Sequence, residues 1–199
     1  RGLSNAWYAS QRRSLMSLTF RTFAALAALA SITVAATPVY AALPVGTSAP
    51  AVSTPAVIAG KPFTFHLADA LKHGPVVLYF FPAAFTSGCT IEAHEFSDAT
   101  AKFAAEGATV IGLAHDPIDK LSKFSVTECR NKFAVGVASS AIIDAYKVKL
   151  PIVSMSDRTS FVIAPDGKII FAYSALSPDG HVEKSLAAVK AWHKAHMAR

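Results

Sequence analysis

The chain has 199 residues, 52% of them hydrophobic and 16% charged, which allows one domain with a proper core and excludes a disordered chain. Its formal net charge of +6 invites nucleic acid as a partner, but Arg1, Arg12, Arg13 and Arg21 fall within residues 1–41, where there is no acid. Beyond them, the other 15 of the 19 basic residues stand against all 13 acids with no basic run interleaved with aromatics, so the body of the chain speaks against nucleic acid.

Taken in chain order, the first segment reads as a targeting signal. Arg12, Arg13 and Arg21 flank Met16, Phe23 to Ala36 is almost wholly apolar, and small residues precede a cut after Ala41. A basic start, a short apolar run and a small-x-small exit predict a secretory signal peptide, too short to span a bilayer comfortably. Residues 1–15 read as sequence upstream of a start at Met16. Residues 1–41 are thus expected to be upstream sequence plus signal, and residues 42–199 the mature domain, periplasmic or secreted and free of the membrane after cleavage. An organellar transit peptide is the alternative, because the segment is free of acids.

After Ala41 a Pro-, Ala- and Thr-rich stretch, Leu43 to Ile58, predicts an extended arm. Lys61 to Leu67 reads as a short strand, and Ala68 to His73 as a helical turn ended by Gly74-Pro75. Val76 to Phe81 is an uninterrupted apolar run, as expected of a central strand covered on both faces. A helix opens at Ser87 or Gly88 and runs to about Ala105, closed by Gly107. Ala108 to Ala114 is a second buried strand, and Asp116-Pro117 starts another helix toward Cys129, with the Asp116 side chain expected to cap it. A strand at Phe133 to Ala138 and a short helix at Ala141 to Lys147 follow. Two strands flank Pro165-Asp166-Gly167, a strong hairpin signal, and His181 to His196 forms an amphipathic last helix. This order predicts an α/β domain with a mixed sheet covered on both faces, the arrangement of the thioredoxin-like fold.

One thiol lies where chemistry is favoured. Phe81-Pro82-Ala83-Ala84-Phe85-Thr86-Ser87-Gly88-Cys89 carries the chain from a buried strand into a helix. Backbone N–H groups and the helix dipole at such a turn favour a thiolate, which suggests nucleophilic or redox chemistry. The chain has one other cysteine, Cys129, and composition alone leaves open whether the two form a permanent staple or a working redox pair. No Cys-x-x-Cys is present, because Glu92 stands in the second position, and there is no glycine-rich phosphate loop. His193 and His196 are a possible metal pair without a third ligand, so no metal site is expected.

Pro82-x-x-x-Thr86-x-x-Cys89 resembles the signature of the peroxiredoxins, the alkyl hydroperoxide reductase and thiol-specific antioxidant family. Cys89-Thr90-Ile91-Glu92 and Arg158-Thr159-Ser160-Phe161 through Lys168 are similar to its bacterioferritin-comigratory, or Q-type, branch, and the likeness spans about residues 43–195. The resemblance implies a thiol peroxidase in which Cys89 attacks hydrogen peroxide or an organic hydroperoxide. It also implies that Arg158 stabilises the developing charge, Thr86 holds peroxide and thiolate in line, and Pro82 shields the site. Glu92 is expected on the same helical face, orienting Arg158 or shuttling a proton; a solvated helix glutamate is the alternative. Many members of the branch place a resolving cysteine five residues after the nucleophile, where this chain has His94. Cys129 is therefore the candidate resolving residue, expected near the end of its helix and needing local unwinding, with Arg130 beside it as a candidate for keeping it ionised. A thioredoxin-like or small-thiol reductant would recycle a monomer or homodimer without metal, haem or flavin. The alternative is a redox-sensing or binding module that uses a Cys89–Cys129 disulfide.

Overall fold

The computed structural model describes residues 42–197, which lie in one compact unit; the expected signal and its cleavage site fall outside them. Strand β1 (Ser53–Ile58) turns back into β2 (Lys61–His66) through Ala59 and Gly60, both at positive φ, and the two strands pair along their full length. The last six residues of the expected extended arm are thus a strand. Its Pro-rich composition hid it: Pro55 cannot donate to the ladder, yet it is tolerated because β1 meets its other neighbour, β5 (Ala134–Val137), only through Ala56 and Val57.

Helix α1 (Leu67–Ala70) leads to β3 (Val76–Phe80), all five residues of which are buried. Two β-α-β units follow in which β3, β4 (Thr109–Ala114) and β5 run parallel, joined by α2 (Ser87–Ala105) and α3 (Ile118–Thr127). Helix α4 (Ser140–Ala145) precedes the antiparallel pair β6 (Thr159–Ile163) and β7 (Ile169–Ser174), and α5 (His181–Met197) closes the chain. The sheet order is β2-β1-β5-β4-β3-β6-β7, a mixed α/β arrangement of thioredoxin type.

The strand period of two splits the core into two layers. Val77, Tyr79 and Phe81 pack with α2, α3 and α5, whereas Val76, Leu78 and Phe80 pack on the side of α1 and α4. On β6, Ser160 and Val162 share the face of Arg158, the residue just ahead of the strand. Arg158 is thereby aimed at α2, which begins at the end of β3.

Asp116 does not cap α3. Pro117 occupies the N-cap position without a side-chain bond, while Asp116 Oδ2 accepts the Ala84 N–H at 2.7 Å and Oδ1 pairs with Lys120 at 2.7 Å. Its position before a helix suggested a cap. Its actual role is to hold the loop that precedes Cys89.

Candidate active site

The loop from Pro82 to Thr86 is held at several points. Phe81 extends β3 by one bond to the Leu113 carbonyl at 3.1 Å, and its own carbonyl accepts Ser156 Oγ. Phe85 adopts φ +68°, a left-handed conformation uncommon for a bulky residue, and its half-exposed ring meets Phe124 of α3 edge-on at 5.2 Å. Thr86 is the N-cap of α2. Its carbonyl accepts the Thr90 N–H, and its exposed hydroxyl donates to the Ala83 carbonyl at 3.0 Å, so the loop supplies that bond before any substrate arrives.

Cys89 is the third residue of α2 and almost fully buried. Arg158, 4% exposed, uses all three of its nitrogens: Nη2 lies 3.4 Å from Cys89 Sγ, Nη1 pairs with Glu92 Oε2, and Nε donates to the Leu176 carbonyl at 2.9 Å. The guanidinium comes this close because position 88 is glycine; a Cβ there would lie 3.0 Å from Nη2. The structure therefore brings Cys89, Glu92 and Arg158 into direct contact. Thr86 sits a turn away at the helix cap, and Pro82 is half-buried at the loop's start.

Glu92 is fully buried, not a solvated helix residue. Burial pushes its carboxyl up to about 8, against the opposing pull of the Arg158 charge and hydrogen bond. The folded protein thus holds a proton here that an unfolded chain releases near 4.5, so this group's contribution to stability is present in full below about 4.5 and is lost as the pH rises to about 8. A Glu92→Gln protein should lack that decline. Urea midpoints between pH 5 and 8 test it, and parallel pH slopes for the two proteins would show that Glu92 is not the source.

Two residues that sequence reasoning did not single out complete the buried cluster. His181, at the start of α5, is fully buried; its Nε2 bonds the Ala175 carbonyl at 3.0 Å and its Nδ1 bonds Ser160 Oγ at 2.8 Å. Nδ1 also lies 3.7 Å from Glu92 Oε1, an oxygen without a hydrogen-bond partner. Burial, with the charges of Arg158 and Lys184, lowers the imidazole to about 4. The signal for Ser160 was its strand alternation with Arg158. Nothing in the sequence brought His181 to it.

Cys129 lies just past the end of α3, directly after its C-cap Glu128, and is fully buried with a free thiol. One face of α2 clasps its turn: His94 Nε2 meets Glu128 Oε2 at 2.9 Å, Ser97 Oγ donates to the Cys129 carbonyl at 2.7 Å, and Asp98 pairs with Arg130 at 2.9 Å. Arg130 and Asn131, both at positive φ, reverse the chain there. Arg130 is committed to Asp98, and burial, with Glu128 nearby, pushes the Cys129 thiol up, contrary to the expectation of an ionised group. Ser97 is eight residues past Cys89, ~12 Å along the helix at 1.5 Å per residue. An unstrained disulfide needs Cα atoms within about 7 Å, and both thiols are free in this state. Elsewhere, His193 contacts Glu106 and His196 stacks on Trp192.

Residues 45–172 match the AhpC/TSA family. A protein of Mycobacterium tuberculosis named as a peroxiredoxin is 36% identical over 129 residues, covering 63% of this chain and 84% of the relative. Peroxiredoxin Bcp of Xanthomonas campestris is 28% identical over 128 residues, covering 60% and 78%. Among solved structures, peroxidoxin BcpB from Mycobacterium tuberculosis superposes with a TM-score of 0.67 at 32% identity, over 74% of this chain and 96% of that one. With the Cys89–Arg158–Glu92 cluster at the mouth of a thioredoxin-like sheet, these likenesses place the chain in the AhpC/TSA family, as a Bcp-like peroxiredoxin.

Proposed function

We propose that this thiol-dependent peroxidase reduces hydroperoxides at Cys89 and that Cys129 resolves the product. The observation that carries the reading is the Arg158 guanidinium, which lies against the Cys89 sulfur in a site nearly closed to water. The Cys89 thiolate attacks the distal oxygen of ROOH, an S–O bond forms as the O–O bond breaks, and RO⁻ leaves and takes up a proton to give ROH. Arg158 faces both the starting thiolate and the charge developing on the departing oxygen, so its field acts throughout the step. Cys89 is left as a sulfenic acid.

The second step joins the Cys129 sulfur to Cys89 and releases water, giving a disulfide. The clasped turn at residues 128–130 must open first, and three polar ties to α2 are what has to give. A dithiol of thioredoxin type, or two small thiols, then supplies two electrons and two protons to restore both cysteines. The same chemistry would let the disulfide serve as a signal, but the built site around Cys89 favours turnover.

Tryptic peptides after one equivalent of peroxide test the cycle. Wild type should give a bridged Cys89–Cys129 peptide, and Cys129→Ser a sulfenic or sulfinic Cys89; sulfinic Cys89 in both would remove Cys129 from the mechanism. We also infer export to the periplasm or medium, supported by the basic, apolar and small-residue order of the first 41 residues. In protein isolated from its own host, the same spectra should begin at Ala42, and peptides from residues 16–41 would refute export.

A further inference from the structure

Glu92 raises a question that the reaction leaves open. One oxygen, Oε2, serves Arg158, but Oε1 is buried without a hydrogen-bond partner beside the reacting sulfur. An orphaned carboxylate oxygen at such depth is costly, whereas a protonated one is far less so. The polar side-chain atom of His181 that faces it, Nδ1 at 3.7 Å, decides which form is favoured.

The tautomer of His181 follows from its partners. A carbonyl can only accept, so the bond to Ala175 places the imidazole hydrogen on Nε2. Nδ1 is then a bare lone pair, and Ser160 donates to it. Toward Glu92, His181 therefore presents a partly negative nitrogen and no proton. At 3.7 Å the contact is too long for a formed hydrogen bond, but its sign is fixed. A negative Oε1 would face the partial negative charge of a nitrogen whose one lone pair Ser160 already occupies, with no donor to offset it, while a protonated Oε1 removes that repulsion.

We propose that His181 is a positioning residue of the peroxide site: its Nδ1, oriented by Ser160 and Ala175, keeps the proton on Glu92 Oε1. Glu92 then meets Arg158 as a neutral acceptor, and the guanidinium charge is left for the Cys89 thiolate and the departing oxygen. The inference rests on the peroxidase reading above. The other groups around the pair act consistently with it. Glu95 on α2 adds negative charge near Glu92, and Tyr79 on β3 is a buried phenol that stays neutral. Arg158 ahead of β6 and Lys184 on α5 keep His181 uncharged, and Tyr173 on β7 packs edge-on against its ring at 4.8 Å.

The two amides that each mimic one ring nitrogen separate this role from a structural one. Asn at position 181 can place an acceptor near the Nδ1 position, and Gln can place a donor near the Nε2 position. Second-order rates with peroxide are to be followed from pH 6 to 10 in both variants. Wild type should slow as Glu92 loses its proton near pH 8. His181→Asn should keep that midpoint, whereas His181→Gln should lower it by about one unit, a tenfold change in the protonation constant. Infrared difference spectra against Glu92→Gln should show the carboxylic C=O band at pH 7 in wild type and His181→Asn, weakened in His181→Gln. Equal midpoints and equal bands in Asn and Gln variants would overturn the proposal. If either variant fails to fold, Ser160→Ala, which frees the imidazole to turn, should lower the midpoint in the same direction, and an unmoved midpoint counts against the role. A wild type without peroxidase activity would instead defeat the peroxidase reading itself.

Discussion

A Cys89→Ser protein should consume peroxide about 10³-fold more slowly than the parent, or not at all, while remaining as well folded. The two side chains are nearly the same size, and the site is closed, so packing changes little. The Arg158 Nη2 that lies 3.4 Å from sulfur offers the serine oxygen a donor, which keeps the stability change within about 1 kcal/mol. Chemistry changes entirely, because an alcohol near neutral pH supplies no anion and Arg158 has no nucleophile to stabilise. Stopped-flow peroxide consumption with a small-thiol donor, beside a urea curve, gives both readouts. Activity at the parent rate would remove Cys89 from the reaction.

Arg158→Met should damage rate and fold together. Its three nitrogens serve the sulfur, the Glu92 carboxyl and the Leu176 carbonyl, and all three partners lose their donor. Loss of one positioned charge beside a developing oxyanion costs about 10²–10³-fold in rate. Stripping a buried carboxyl of its cation costs up to about 3–5 kcal/mol, less where the carboxyl can hold a proton. Arg158→Lys should not rescue the rate, because one ammonium cannot reach three separated acceptors at once. Adding Glu92→Gln to Arg158→Met should return part of the stability and none of the rate. Recovery of rate in the double variant would mean that Arg158 matters only as the partner of Glu92.

Much of this architecture could be read from the chain. Val76 to Phe81 and the turn into Ser87 were legible because an all-apolar strand, a proline and a helix start are local signals. Arg158 was placed by resemblance, and the period of two on β6 explains its aim. What escaped depended on distant partners. The strand at Ser53–Ile58 is completed by pairing, since Pro55 and Ala56 interrupt the strand-favouring Thr54, Val57 and Ile58. Asp116 looked like a helix cap because caps are local, yet its partner Ala84 lies 32 residues back. His181 reaches Glu92 only because α5 packs beside α2, a fact of tertiary packing with no trace in either segment. The position of Cys129 relative to its helix turned on two left-handed residues, Arg130 and Asn131, that carry no glycine to announce them.

The hold of α2 on residues 128–130 also bears on how the protein fails. In the proposed cycle a sulfenic Cys89 has two fates, bridging to Cys129 or meeting a second peroxide and becoming sulfinic, which is not readily reversed. The first is unimolecular and waits on the breaking of the His94, Ser97 and Asp98 ties; the second scales with oxidant concentration. Where Cys129 resolves, the strength of those ties fixes the oxidant dose at which the two rates cross. Below that dose the protein is a durable scavenger. Above it each molecule is spent after few turnovers, so one buried, one half-buried and one exposed bond at the Cys129 turn set the tolerance of the whole catalyst to oxidative bursts.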